Sequence, residues 1–119
     1  MPKVMIVDDD RTTVSLLSVL LEMDGFEVVT VPDGGMAVSQ APVIRPDVFL
    51  VDYNLSDVIG TECVRMIRSL EGFSTTPIIM SSGLSRESEA LASGADFFLE
   101  KPFDPEVLVT KLKEMLGLA

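Results

Sequence analysis

The sequence predicts an α/β fold: a five-stranded parallel sheet with helices on both faces. Three observations carry that expectation. Short runs of Val, Ile, Leu and Phe alternate five times with segments of helical periodicity, which is the pattern of repeated strand–helix units. The runs are continuously apolar, as strands covered on both faces must be. The chain is 119 residues long, and neither a linker, a repeat nor a low-complexity stretch divides it, so residues 1–119 are read as one domain.

Each element has its own signature. Lys3–Val7 is an apolar run that stops abruptly at Asp8-Asp9-Asp10, a buried strand reaching a polar end. Val14, Leu17, Leu20 and Leu21 recur at helical spacing, and Gly25 ends that helix. Glu27–Val31 is valine-rich and predicts the second strand, Pro32-Asp33-Gly34-Gly35 a turn, and residues 36–40 a short helix. Pro46 precedes the third strand, 47–51, which ends in Asp52; a loop then runs to Gly60. Cys63, Val64, Ile67 and Leu70 form one helix face. Pro77 opens the fourth strand, 78–81, which ends in Ser82-Gly83, and Glu87–Ser93 is a short helix containing alanine. Gly94-Ala95-Asp96 leads into the fifth strand, Phe97–Glu100, closed by Lys101-Pro102. Pro105 and Gly117 bracket a last helix carrying Leu108, Leu112, Met115 and Leu116. Leu17, Leu20 and the methionines are expected in the core, and Cys63 as a small buried hydrophobe.

Composition removes whole classes of function. Nine Lys and Arg against nineteen Asp and Glu give a formal charge of −10. Direct nucleic-acid binding needs a basic footprint, and docking on an anionic membrane needs the same. The acid excess itself serves solubility. The longest apolar runs, four residues as at 48–51, are far short of the roughly 20 residues that cross a bilayer, so membrane insertion is not expected. No secretion signal is visible at the start, and the single cysteine fits a reducing, cytoplasmic compartment. The chain has no histidine. Ser-His and Cys-His catalysis are therefore excluded, and any bound metal sees oxygen ligands, which suits Mg²⁺ or Ca²⁺.

In an open parallel sheet, ligands bind beyond the carboxyl ends of the strands. Asp8, Asp9 and Asp10, Asp52, Ser82 and Lys101 all follow strands directly. Clustered carboxylates repel one another unless a cation lies among them, and Mg²⁺ commonly takes one or two carboxylates together with phosphate oxygens. A lysine and a hydroxyl facing a carboxylate add a charge clamp and a donor. The set suits phosphoryl transfer onto an aspartate nucleophile. Taken singly, each residue has a plainer role: Asp10 and Ser82 as helix caps, Asp52 as a turn residue, Lys101 as surface. What argues against those readings is that all of them fall at one end of the sheet.

Four segments in order carry a resemblance across the whole chain. They are Val4-Met5-Ile6-Val7-Asp8-Asp9-Asp10, then Asp47-Val48-Phe49-Leu50-Val51-Asp52-Tyr53-Asn54-Leu55 with Gly60 downstream, then Pro77-Ile78-Ile79-Met80-Ser81-Ser82-Gly83, then 94–103 ending in Lys101-Pro102-Phe103. The chain resembles receiver domains of bacterial two-component response regulators, including the single-domain chemotaxis type. The resemblance implies a flavodoxin-like doubly wound sheet of strand order 2-1-3-4-5. It implies that Asp52 is the phosphoacceptor and that Asp8, Asp9, Asp52 and the backbone carbonyl of Asn54 hold Mg²⁺. It makes Lys101 the phosphate contact, Ser82 and Phe98 the switch pair, and Lys101-Pro102 a cis peptide bond. Ser82 turning inward would vacate space beside the fifth strand for Phe98. Asn54 and Leu84 would tune attack by water on the acyl phosphate, and Gly83, having no side chain, would leave the phosphate open to a large donor.

The resemblance also implies the partners. These are a sensor histidine kinase or histidine phosphotransfer protein on the input side, and a separate protein or a second copy on the output side. The output face would be helix 4, strand 5 and helix 5, and with no output domain expected after Gly117 its partner is expected to be a separate molecule. The domain would then be a regulatory phosphoacceptor and not an enzyme acting on other substrates. Two departures matter. The loop after Asp52 has Leu55-Ser56 where a Met-Pro or Leu-Pro pair is usual, so a looser loop is expected; and Phe98 has no hydroxyl.

Three other readings compete. Asp8-Asp9-Asp10-Arg11-Thr12 also fits the D-x-D-x-T motif of haloacid dehalogenase-type phosphatases, with Asp8 as nucleophile and Asp10 as acid/base. The chain is short for that fold and lacks its later acidic pair. A phosphorylation-independent interaction module is disfavoured by the complete acidic set. A flavodoxin-type carrier is disfavoured because the acidic turn after strand one would repel a flavin phosphate.

Overall fold

The computed structural model describes residues 1–118. The elements follow in strict alternation: β1 (Lys3–Val7), α1 (Arg11–Met23), β2 (Glu27–Val31), α2 (Gly34–Ile44), β3 (Val48–Asp52), α3 (Gly60–Ser69), β4 (Ile78–Ser82), α4 (Glu87–Ser93), β5 (Phe97–Glu100) and α5 (Pro105–Met115). The sheet has the order β2-β1-β3-β4-β5, and all of its pairings are parallel. This is the predicted doubly wound architecture.

Alternation along the strands divides the core in two. Met5 and Val7 of β1 join Phe49, Val51, Met80, Cys63, Val64 and Ile67 under α2, α3 and α4. Val4 and Ile6 join Leu50, Ile79, Leu17, Leu21, Leu108 and Leu112 under α1 and α5. Burial of Cys63 pushes its thiol up to about 12, so it is an inert filler of the first core. Only part of the methionine set is core: Met5 and Met80 are fully buried, whereas Met1, Met23 and Met36 are exposed. Leu20 is only partly covered. Met23 lies with Leu16 and Val19 on the outer side of α1, which the sheet does not reach.

Boundaries differ from the expected ones where polar contacts hold the backbone. β3 begins at Val48 because Asp47 is occupied below the sheet, its carboxylate accepting the Lys3 N–H at 2.7 Å. β4 runs one residue further than predicted, through Ser82, whose carbonyl accepts the Lys101 N–H at 2.7 Å. The largest difference is α2, which spans Gly34–Ile44 against the predicted 36–40. Both glycines are drawn into its first turn because Asp33 caps Met36 N and Asp57, from a distant loop, accepts from Gly34 and Gly35. Buried Ala37 and Ala41 carry the helix past Pro42, and Arg45 ends it in the left-handed region at φ 54°.

Candidate functional site

The register of the sheet creates the site. Val7 of β1 pairs with Val51 of β3, so the residues that follow them emerge side by side. Asp52 pairs with Ser81, and Ser82 with Glu100, which brings Lys101 alongside. Asp8 and Asp52 are buried and Asp9 is exposed, and one carboxylate oxygen from each lies within 4.8 Å of the other two. Lys101 Nζ sits 3.0 Å from Asp52 Oδ1 and 3.6 Å from Asp8 Oδ2. The Lys101-Pro102 peptide is cis.

Burial and mutual charge set the electrostatics of this cluster. Burial is the main cause that raises the Asp8 carboxyl above its ordinary value; the Asp10 N–H opposes it, and the Asp52 charge adds to it. Burial alone would lower the Lys101 ammonium, but hydrogen bonding and charge from Asp52, then Asp8, outweigh it and hold the ammonium above its ordinary value. One ammonium thus faces two buried carboxylates and a third at the rim. The oxygen-only donor set, the close spacing and the one open side fit a hard divalent ion such as Mg²⁺.

The other predicted residues take up distinct positions. Ser82 is fully buried, and its Oγ accepts the Leu84 N–H at 3.2 Å, which leaves the hydroxyl hydrogen available to donate. Asn54 lies at the rim and bridges to Ile59 across the base of the loop. Asp10 caps α1. It accepts from Thr12 N at 3.1 Å and from Thr13 Oγ1 at 2.9 Å, and the Thr13 hydroxyl is the main cause holding its carboxyl below the ordinary range. A carboxylate engaged in this way is poorly suited to the acid/base role of the phosphatase reading.

Phe98 is only 9% exposed and lies in the core with Met80 and Ala90, the inward position of the expected switch residue. Without a hydroxyl, the ring loses nothing polar on burial. The loop after Asp52 is not loose. Asp57 Oδ1 accepts from Gly34 N at 3.0 Å and Val58 N at 2.9 Å, and Oδ2 accepts from Gly35 N at 2.8 Å. The Gly34 N–H is the chief cause holding the Asp57 carboxyl below its ordinary value.

Sequence reasoning missed a second cluster beside the site. The Tyr53 hydroxyl donates to Glu89 Oε1 at 3.0 Å, Arg86 Nη1 reaches Glu89 Oε2 at 3.3 Å, and the guanidinium carbon lies 3.9 Å above the Tyr53 ring. The residue after Asp52 is thereby tied to the start of α4. The three-residue spacing of Arg86 and Glu89 was a visible signal; its meeting with Tyr53 is purely tertiary.

Residues 4–113 match the model of the response regulator receiver domain. The chain belongs to that family. It is 36% identical over 122 residues to the phosphate regulon transcriptional regulatory protein PhoB of Rhizobium meliloti, covering 100% of this chain and 54% of the relative. It is 31% identical over 117 residues to the DNA-binding response regulator MtrA of Mycobacterium tuberculosis, covering 96% of this chain and 50% of that protein. This receiver domain thus spans about half the length of the curated relatives it matches. Among solved structures, the chemotaxis response regulator CheY4 of Vibrio cholerae superposes with a TM-score of 0.91 at 35% identity, over 98% of this chain and 99% of that one. The receiver domain of the sensor histidine kinase PA1611 from Pseudomonas aeruginosa has a magnesium ion coordinated in its active-site cleft. It superposes with a TM-score of 0.89 at 29% identity, over 98% of each chain.

Proposed function

We propose that this receiver domain takes a phosphoryl group onto Asp52 from a histidine kinase or histidine phosphotransfer protein, and that the acyl phosphate alters its partner-binding face. One observation carries the reading. Asp52 is buried 3.0 Å from the Lys101 ammonium, with Asp8 and Asp9 close enough to share a cation with it.

In the reaction, an Asp52 carboxylate oxygen attacks phosphorus while the bond to the donor imidazole nitrogen breaks. The imidazole leaves with the bonding pair and takes up a proton. Lys101 orients the nucleophile and then balances the charge of the phosphoryl oxygens. Ser82 has a hydroxyl hydrogen to donate to one of them. Asp8, Asp9, Asp52 and the Asn54 carbonyl would hold Mg²⁺, and the chemistry such an ion supplies is neutralisation of negative charge between carboxylates and phosphoryl group. The domain catalyses only its own phosphorylation and dephosphorylation. Its site is cytoplasmic, the compartment of phosphohistidine donors and one that suits the free thiol of Cys63. The output face is α4, β5 and α5, offered to a separate protein or to a second copy.

Incubation with acetyl phosphate and Mg²⁺, followed by intact mass, tests this. The expected result is an adduct of one phosphoryl group that is lost in Asp52→Asn. No adduct on the wild type, or an adduct that persists in Asp52→Asn, would overturn the reading.

A further inference from the structure

We propose that Asp57 is a positioning residue for the metal site: by pinning the tip of the β3–α3 loop to the first turn of α2, it fixes the direction of the Asn54 carbonyl. The inference rests on the proposed role of that carbonyl as a Mg²⁺ ligand. A carbonyl ligand differs from a side-chain ligand in one respect. No rotamer can re-aim it, so its direction is set by the dihedral angles of the loop that carries it.

That loop is held at two places. At its base, Gly60 N donates to Tyr53 O at 2.7 Å and Asn54 bridges to Ile59. At its tip, the Asp57 carboxylate collects three backbone N–H groups, two of them from α2. These N–H groups belong to a helix start, where an anion is also favoured by the helix dipole. The contact is close. A Cβ on Gly34 would lie 2.6 Å from Val58 Cγ2, so a side chain there would force Val58 to shift from its seat against the helix. α2 is itself anchored on the sheet by buried Ala37 and Ala41. The segment between Asn54 and Asp57 is Leu55-Ser56, with no proline to stiffen it. Asp57 supplies by hydrogen bonding the restraint that a proline ring supplies covalently.

Positioning can be separated from two simpler effects. Asp57 could attract a cation through its charge alone, or it could matter only by capping α2. Asparagine has one acceptor oxygen, which can keep the bonds from Gly34 N and Val58 N and so the link between loop and helix; it gives up the charge and the Gly35 bond. Asp33 caps the same helix through Met36 N, from outside the loop. The test is a Mg²⁺ titration followed by the emission of Tyr53, the protein's single tyrosine in a chain without tryptophan, and by the amide shift of Asn54. Asp57→Ala is expected to weaken Mg²⁺ binding about tenfold, the lower end of the range for groups that orient metal ligands. Asp57→Asn and Asp33→Ala are expected to bind within about twofold of wild type, although Asp33→Ala lowers helix stability.

Wild-type affinity in Asp57→Ala overturns the proposal. So does equal weakening in Asp57→Asn, which keeps the Gly34 link between loop and helix, or equal weakening in Asp33→Ala, which assigns the effect to the helix. Binding lost in Asp9→Ala but unchanged in Asp57→Ala leaves the metal reading standing and removes this one. No Mg²⁺ binding by the wild type removes both.

Discussion

Replacing Gly60 by alanine tests how tightly the phosphoacceptor strand is built into its surroundings. A Cβ at this position would lie 2.6 Å from the Asp52 carbonyl oxygen and 2.6 Å from Tyr53 Cα. Carbon contacts settle near 3.5–4.0 Å, so the overlap approaches 1 Å. Both opposing atoms are backbone and cannot rotate away. Relief requires the start of α3 or the end of β3 to move. Overpacking of this kind costs about 1–3 kcal/mol, and the rigid neighbours place it at the upper end. Alanine regains about 1 kcal/mol of helix propensity over glycine. The net expectation is a loss of about 2 kcal/mol, which for a domain of this size lowers the melting temperature by about 8 °C. Gly83 is the matched control: it follows β4 as Gly60 follows the β3 loop, but a Cβ there meets nothing within 4 Å. Gly83→Ala should be neutral or stabilise by about 0.4–1 kcal/mol through the unfolded chain. Thermal and urea unfolding of the two variants, followed by Tyr53 emission, is the assay. A Gly60→Ala protein that melts within about 2 °C of wild type would refute the close approach from which the magnitude was worked.

Two further outcomes follow from the same geometry. Leu84 is 61% exposed at the mouth of the site and offers no group to orient a water, so Leu84→Glu should shed phosphate faster than wild type in a release time course; equal rates remove that role. Asp57 titrates below its ordinary value when folded, so the stability it contributes is fully present above its unfolded pKa of about 3.9 and is lost as pH falls through the folded value. Urea midpoints measured downward from about pH 5 should therefore fall less steeply in Asp57→Asn than in wild type, and parallel acid limbs would contradict this.

The fold and the central cluster were legible because both follow from local pattern. Apolar runs such as Val48-Phe49-Leu50-Val51 are strands whatever surrounds them, and a parallel sheet must bring their last residues together. That logic located Asp8, Asp9, Asp52, Ser82 and Lys101. It failed wherever one loop reaches another. The length of α2 depends on Asp57, which lies 23 residues from Gly34. The clasp on Tyr53 depends on Glu89, 36 residues away. Hydrophobic periodicity carries no information about such polar contacts, because a carboxylate in a loop has the same pattern whether it meets water or a helix start. The glycines offered a clue to the first of these contacts. Gly34-Gly35 reads as a turn when taken locally, and it is equally the sequence of a helix start approached closely by another chain segment.

The burial of Phe98 bears on where a phosphorylation signal must act. A ligand or modification shifts an equilibrium only through interactions that differ between the two states. An aromatic side chain that moves from water into the core on activation contributes such a difference, since burying a phenylalanine is worth about 1.5–3 kcal/mol. Phe98 lies in the core with Met80 and Ala90, so this conformation holds that contribution. Other contacts able to differ between two states lie nearer Asp52. Lys101 has Asp52 and Asp8 to choose between, at 3.0 and 3.6 Å. The Ser82 hydroxyl is held by the Leu84 N–H, and the same loop ends in Arg86, stacked on Tyr53 and shared with Glu89. Drawing Ser82 toward an acyl phosphate strains this short loop at its first residue and the clasp at its last. Under the proposed function, the loop from Ser82 to Arg86 is therefore a route by which phosphorylation would reach α4, alongside the aromatic ring of Phe98.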